Sequence, residues 1–159
     1  SFDVPAAVTD TGCERDLNED RYAVIESPSG IAWLVCDGMG GSSGGELAAQ
    51  LAIDAMRRDL ENLAPSSPEA ALHNAIVEAN RIIVLRRQNQ AFSQMGTTIV
   101  AAMFSGPEVI IAHVGDSRAY LAFRNWLTGA LFNPTKHFPI LKLIFSRAAS
   151  VPSRLWKST

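Results

Sequence analysis

The hydrophobic positions of this chain fall into short blocks of two different periods. Ile31-Ala32-Trp33-Leu34-Val35-Cys36 is an unbroken apolar run, which predicts a strand buried on both faces. From Glu46 to Leu60 the apolar residues Leu47, Leu51, Ala55 and Met56 fit a helix. Ala64-Pro65-Ser66-Ser67-Pro68 ends that pattern, and Ser67 followed by Pro68 is an N-cap with proline at the first helical position. A second helix is predicted from there to near Gln90, with Leu72, Ala75, Ile76, Ala79 and Ile83 on one face and Arg81, Arg86 and Arg87 on a solvated one.

Further strands are predicted at Phe2 to Val8, Arg21 to Glu26, Gly96 to Phe104, Glu108 to Val114 and Ser117 to Leu121. Ser27-Pro28-Ser29-Gly30, Ser105-Gly106-Pro107 and Gly115-Asp116 supply the turns between them. Three strands, two helices and three strands, with turns of hairpin length, predict antiparallel sheets covered by a helix pair rather than alternating βαβ units. After Ala122 neither period persists, and Pro134, Pro139 and Pro152 interrupt the chain. Residues 123–159 are expected to be a tail without a fold of its own. Within it, Phe138 to Phe145 offers a basic amphipathic patch for a membrane or partner as the minor alternative.

The junction between the apolar run and the first helix holds the candidate chemistry. Asp37 stands at the end of the run, and five glycines follow among residues 38–45. Glycine lets backbone approach a ligand closely, and a carboxylate beside a bare carbonyl is a hard-oxygen pair suited to Mg²⁺ or Mn²⁺. A tight strand-to-helix turn with a capping aspartate reads equally well from these residues alone.

Composition narrows the setting. At 159 residues, 47% hydrophobic and 19% charged, the chain suits one globular domain with a real core. The start, Ser1-Phe2-Asp3-Val4, has no basic region before an apolar core, so no signal peptide is expected, and no charge-free stretch reaches transmembrane length. Cys13 and Cys36 lack metal-site spacing and are expected as reduced thiols of a cytoplasmic protein. The net charge of −2 hides a break: all 16 acids lie at or before Asp116, with eight of the 14 bases in residues 1–122. The first part therefore carries −8 and the rest +6, and no lysine precedes Lys136. An acidic body argues against nucleic acid as its substrate.

Four blocks stand in order: Arg15 with Asn18-Glu19-Asp20; Asp37-Gly38-Met39-Gly40-Gly41; Met95-Gly96-Thr97-Thr98; and His113-Val114-Gly115-Asp116-Ser117-Arg118. Together they resemble the metal-dependent protein phosphatase family (PPM, type 2C), in its bacterial-looking form, over about residues 2–121. The resemblance implies an α+β fold, here a partial four-layer α-β-β-α sandwich, with a partial phosphatase domain at 1–122 and a non-family tail at 123–159. It implies hydrolysis of phosphorylated serine or threonine in a protein by a metal-activated water, with two Mg²⁺ or Mn²⁺ ions. Asp37 would bridge the ions, the Gly38 carbonyl would bind one, and Glu19 and Asp20 would hold metal or its waters. Arg15 would grip the substrate phosphate with its planar fork. Asp116 matches the residue near an additional, weaker metal, or else ties the Gly115 turn. Many relatives place a histidine after the Asp-Gly pair to protonate the leaving group, whereas this chain has Met39. Thr97, Thr98 and Arg118 read as structural, His113 as a core group, His73 as surface.

Other readings stay open on the residues. Arg15, Glu19 and Asp20 also read as a solvated loop with a weak ion pair. Gly41-Ser42-Ser43-Gly44-Gly45 matches a nucleophile elbow, but the predicted strand ends well before the serine. Gly115-Asp116-Ser117 mimics an esterase motif that belongs near the start of a domain. The family's later metal aspartates have no counterpart, since no Asp or Glu follows Asp116. The expectation is a truncated or frame-shifted C-terminal end with one weak metal site, the alternative function being a catalytically incomplete module that binds a phosphoprotein or partner.

Overall fold

The computed structural model describes residues 7–10, 18–41, 44–62, 64, 66–123, 126–130 and 140–144. Strand β1 (Asp20–Ser27) turns back into β2 (Gly30–Met39), and two 19-residue helices follow, α1 (Gly44–Asn62) and α2 (Pro68–Arg86). A single 3₁₀ turn (Gln90–Phe92) leads to β3 (Gly96–Thr97), β4 (Ile99–Ser105), β5 (Glu108–Val114), β6 (Tyr120–Phe123), β7 (Trp126–Ala130) and β8 (Ile140–Ile144). The main sheet is antiparallel in the order β1-β2-β4-β5-β8, with β3 continuing the pairing on β2, and β6 and β7 form a separate pair. The expected α+β architecture is present, and among the described residues α1 and α2 are its helix layer.

Both helices form for the reasons the pattern gave. The Ser67 hydroxyl accepts from the Ala70 N–H and Pro68 opens α2, so an orphan donor of the first turn is satisfied. Leu72, Ala75, Ile76, Ala79 and Ile83 are all buried, as are Ala48, Ala52, Ile53, Met56 and Leu60 of α1. They meet Ile25, Leu34, Cys36, Met103 and Ile110 from the sheet. Each large apolar side chain buried there stabilises the fold by about 1.5–3 kcal/mol.

Three expectations change. Along β2, Ala32, Leu34, Cys36 and Gly38 are buried while Ile31, Val35, Asp37 and Met39 are exposed. The apolar run is therefore covered on one face only, because the helices lie on one side of β1 and β2. Ala7 and Val8 carry no strand, and the rest of the strand expected at Phe2 to Val8 lies outside the described residues. The chain beyond Ala122 does build structure: β7 pairs with β6, and β8 adds to the edge of β5. Lys142 of β8 reaches Glu69 of α2 at 3.0 Å and Glu108 of β5 at 2.7 Å, so this basic segment meets the acidic body. No helix among the described residues is long and apolar enough to cross a membrane.

Candidate metal centre

The register of the first hairpin sets the site. Asp20 lies directly opposite Asp37, and the pairing runs from there to Ser27 opposite Gly30. Opposed residues of an antiparallel pair share a face, with Cβ atoms about 4.5–5.5 Å apart, and like charges so placed repel. Two carboxylates facing each other at a strand end are what a cation relieves. Glu19, one residue earlier, is on the other side: its backbone carbonyl accepts from the Gly38 N–H at 3.3 Å, while its carboxylate packs against Gly45 at the start of α1. An acid at a helix N-terminus is favourable. A Cβ on Gly38 would overlap the Gly45 carbonyl, so glycine here lets the strand end touch the helix start.

Arg21 locks this corner. Its guanidinium donates to the carbonyls of Asn18 (2.9 Å) and Asp20 (2.7 Å) and to the Glu46 carboxylate of α1. The Asn18 side chain accepts from the Asp20 N–H at 3.0 Å and donates to the Thr9 hydroxyl at 2.8 Å. Arg21 was not among the residues picked out in the sequence. An arginine on the inward-facing side of a strand that begins beside three polar residues is the signal that could have found it.

The Asp37 backbone is held from its other neighbour. The Thr98 N–H donates to the Asp37 carbonyl at 2.9 Å, and the Asp37 N–H donates to the Thr98 hydroxyl at 3.2 Å. The Thr97 hydroxyl lies 3.1 Å from the Asp37 carbonyl and 3.0 Å from that of Thr98. The Thr98 and Ser117 hydroxyl oxygens are 2.6 Å apart, sharing a hydrogen bond. Thus the strand expected at Gly96 to Phe104 is interrupted at Thr98, whose side chain enters the pairing with Asp37.

The acids do not all converge. Asp20 and Asp37 share one face, Glu19 sits at the α1 start, and Asp116 is exposed on the bend after β5. Arg15, Ser42 and Ser43 lie outside the described residues, as do His137 and Cys13. Among the described residues no group of three or more Asp, Glu, His or Cys side chains could hold a metal. The oxygen-only pair of Asp20 and Asp37, beside the Gly38 carbonyl, fits one hydrated hard cation that keeps most of its waters. Two adjacent ions would need more negative charge than this pair alone supplies.

The remaining groups settle by burial. His113 is buried, which holds its pKa below the ordinary value against a backbone hydrogen bond with Gly115, and His73 is exposed. Burial pushes the Cys36 thiol up to about 12, leaving it protonated and inert. The strand runs on to Met39 and α1 starts at Gly44, so β2 still stops short of the serine an elbow requires. A cavity of about 280 Å³ is lined by Ala7, Val8, Thr9, Asp20, Arg21, Tyr22 and Val35, with Asp20 as its acid. A second, of about 240 Å³ between α2 and the ends of β3, β4 and β5, has no acid in its lining.

Residues 14–149 match the family model described as Protein phosphatase 2C. The serine/threonine phosphatase stp of Listeria welshimeri is 38% identical over 125 residues, covering 75% of this chain and 50% of the relative. The serine/threonine protein phosphatase PstP of Mycobacterium tuberculosis is 36% identical over 118 residues, 73% of this chain and 22% of its own. The solved catalytic domain of PstP in complex with two manganese ions superposes with a TM-score of 0.68 at 32% identity, over 80% of this chain and 54% of that one. The chain spans about half the length of the Listeria relative it matches. With the order of its four motifs, its antiparallel sheet under two helices and these matches together, the chain belongs to the protein phosphatase 2C family.

Proposed function

We propose that this chain carries the Asp37 portion of a metal-dependent protein serine/threonine phosphatase site, using Mn²⁺ or Mg²⁺. The observation that carries the reading is the register that sets Asp20 directly opposite Asp37, on one face at the end of the first hairpin. The bound cation would supply a water acidic enough to act as nucleophile at neutral pH. Asp37 and Asp20 would hold the ion through carboxylate oxygens, with the Gly38 carbonyl as a further donor, and Glu19, whose carboxylate packs at the start of α1, would serve it only through water. Arg15 grips two phosphoryl oxygens of the substrate and offsets the charge that builds on them. Met39 has no proton to give, so solvent protonates the leaving serine or threonine oxygen. Asp116 belongs to a separate, weaker position, since the structure keeps it on an exposed bend. The relatives are named serine/threonine phosphatases, and the −8 charge of residues 1–122 favours a phosphoprotein over a nucleic acid. The buried free thiol of Cys36 supports a reducing, cytoplasmic setting.

Release of phosphate from a phosphoserine peptide by the full chain tests this. Slow turnover is expected that requires Mn²⁺ or Mg²⁺, is abolished in Asp37→Ala, and survives in Ser42→Ala and Ser43→Ala. Turnover in the presence of a chelator with no divalent cation, or its loss in a serine variant, would replace the reading with a serine esterase.

A further inference from the structure

The hydroxyl of Thr98 occupies an unusual place. Along β2 the pairing with β3 and β4 keeps one register, with Gly38 opposite Thr97 and Val35 opposite Val100, which sets Thr98 opposite Asp37. In an antiparallel ladder such opposed residues exchange two backbone hydrogen bonds or none. Here one bond is backbone to backbone, from Thr98 N–H to the Asp37 carbonyl, and the other is taken by the Thr98 side chain. The direction of the Asp37 amide, and with it the stem of the carboxylate, is therefore set by a hydroxyl.

That hydroxyl is itself fixed. Thr98 is 8% exposed, and its oxygen is 2.6 Å from the Ser117 oxygen. Ser117 follows Asp116 directly, after the bend at Gly115. Gly115 has a φ of +93°, and a Cβ there would fall 2.8 Å from Thr98 Cγ2. A side chain at 115 would thus push against the threonine, so glycine brings the bend down onto it. The chain Asp116-bend, Ser117, Thr98, Asp37 is contiguous, its two side-chain hydrogen bonds spanning 2.6 and 3.2 Å.

We propose that Thr98, with Ser117 as its partner, is a positioning residue that sets Asp37 for cation binding and ties the Asp116 bend to it. This rests on the reading of Asp37 as a metal anchor. A buried threonine with a purely packing role would be replaceable by valine, which has the same shape without the hydroxyl. Partners one step behind a metal ligand typically account for about 10–100-fold in metal affinity.

The test uses the full chain with Thr98→Val, Thr98→Ser and Ser117→Ala, and three readouts well below the melting temperature. These are hydrogen exchange of the Asp37 amide without metal, Mn²⁺ affinity by calorimetry, and thermal melting. Thr98→Val should speed exchange at Asp37 and weaken Mn²⁺ about tenfold, while Thr98→Ser keeps both near wild type. Ser117→Ala should act in the same direction, and adding it to Thr98→Val should change Mn²⁺ affinity no further. A lower melting temperature with Mn²⁺ affinity within twofold of wild type would overturn the positioning role and leave only packing. Unchanged exchange at Asp37 in Thr98→Val would overturn the clasp itself. A wild-type chain that binds no Mn²⁺ would instead remove the proposed function.

Discussion

The two faces of the β1–β2 hairpin are built from similar residues and meet different fates. Toward the helices, Ile25, Leu34 and Cys36 are fully buried, whereas on the other side Tyr22, Val24, Ile31 and Val35 are 44–53% exposed. Tyr22 stands opposite Val35, so the exposed residues form one continuous apolar surface. Asp20 and Asp37 lie at the end of that same open surface. An unbroken apolar run reports a strand made for cover on both sides; the helix pair provides it on one. The lesson is that hydrophobicity along a strand states a requirement, and register decides which residues have it met.

The largest effect should come from cutting into the covered face. Leu34→Ala removes a side chain that is 1% exposed and should cost about 2–5 kcal/mol in urea unfolding. Val35→Ala, the next residue along, should cost less than about 1 kcal/mol. Equal losses at the two positions would mean that the open face is covered in solution. A second, smaller effect sharpens the same point. Exposed apolar surface of this kind drives association, so Tyr22→Lys with Val35→Glu, opposite charges on directly opposed positions, should shift sedimentation toward monomer without lowering the melting temperature. Unchanged association would place the sticky surface elsewhere.

The smallest effect concerns the far edge of the sheet, where Lys142 joins β8 to Glu69 and Glu108. Lys142 is raised in pKa by the hydrogen bonds it donates to Glu108 and then Glu69. Burial pulls Glu69 up, but the hydrogen bond from Lys142 and further local bonds outweigh it, leaving its carboxyl below the ordinary value. The glutamate's contribution is thus present above its unfolded pKa and lost as pH falls through the folded one. The lysine's is lost only as pH rises beyond about 10.5. Lys142→Met should therefore speed amide exchange in β8 modestly at pH 7, and by progressively less as pH drops below 5. No difference at neutral pH would show that the Lys142 ion pairs do not help hold the strand.

Much of this was readable in the residues. Both helices and the Ser67 cap follow from local spacing, and Gly115 pressed on Thr98 gives a physical reason for the Gly-Asp-Ser block to follow Met-Gly-Thr-Thr. The elements that escaped depend on distant partners. Ile140 to Ile144 becomes a strand because β5 offers an edge and two glutamates await its lysine, neither of which a local pattern contains. Arg21 escaped because its role is set by Glu46, 25 residues away. The converging acids were only half legible. Their order along the chain was plain, but strand alternation sends Glu19 and Asp37 to different sides, which spacing alone did not reveal.

The proposed function puts one divalent cation at the Asp20–Asp37 end of the hairpin. Calorimetric titration of Mn²⁺ into the full chain and into Asp37→Asn tests it most directly, since asparagine keeps the shape and removes the charge. A single weak site is expected in the wild-type chain, weakened at least about tenfold in the variant. Identical isotherms for the two proteins, or two tight sites in the wild type, would contradict it.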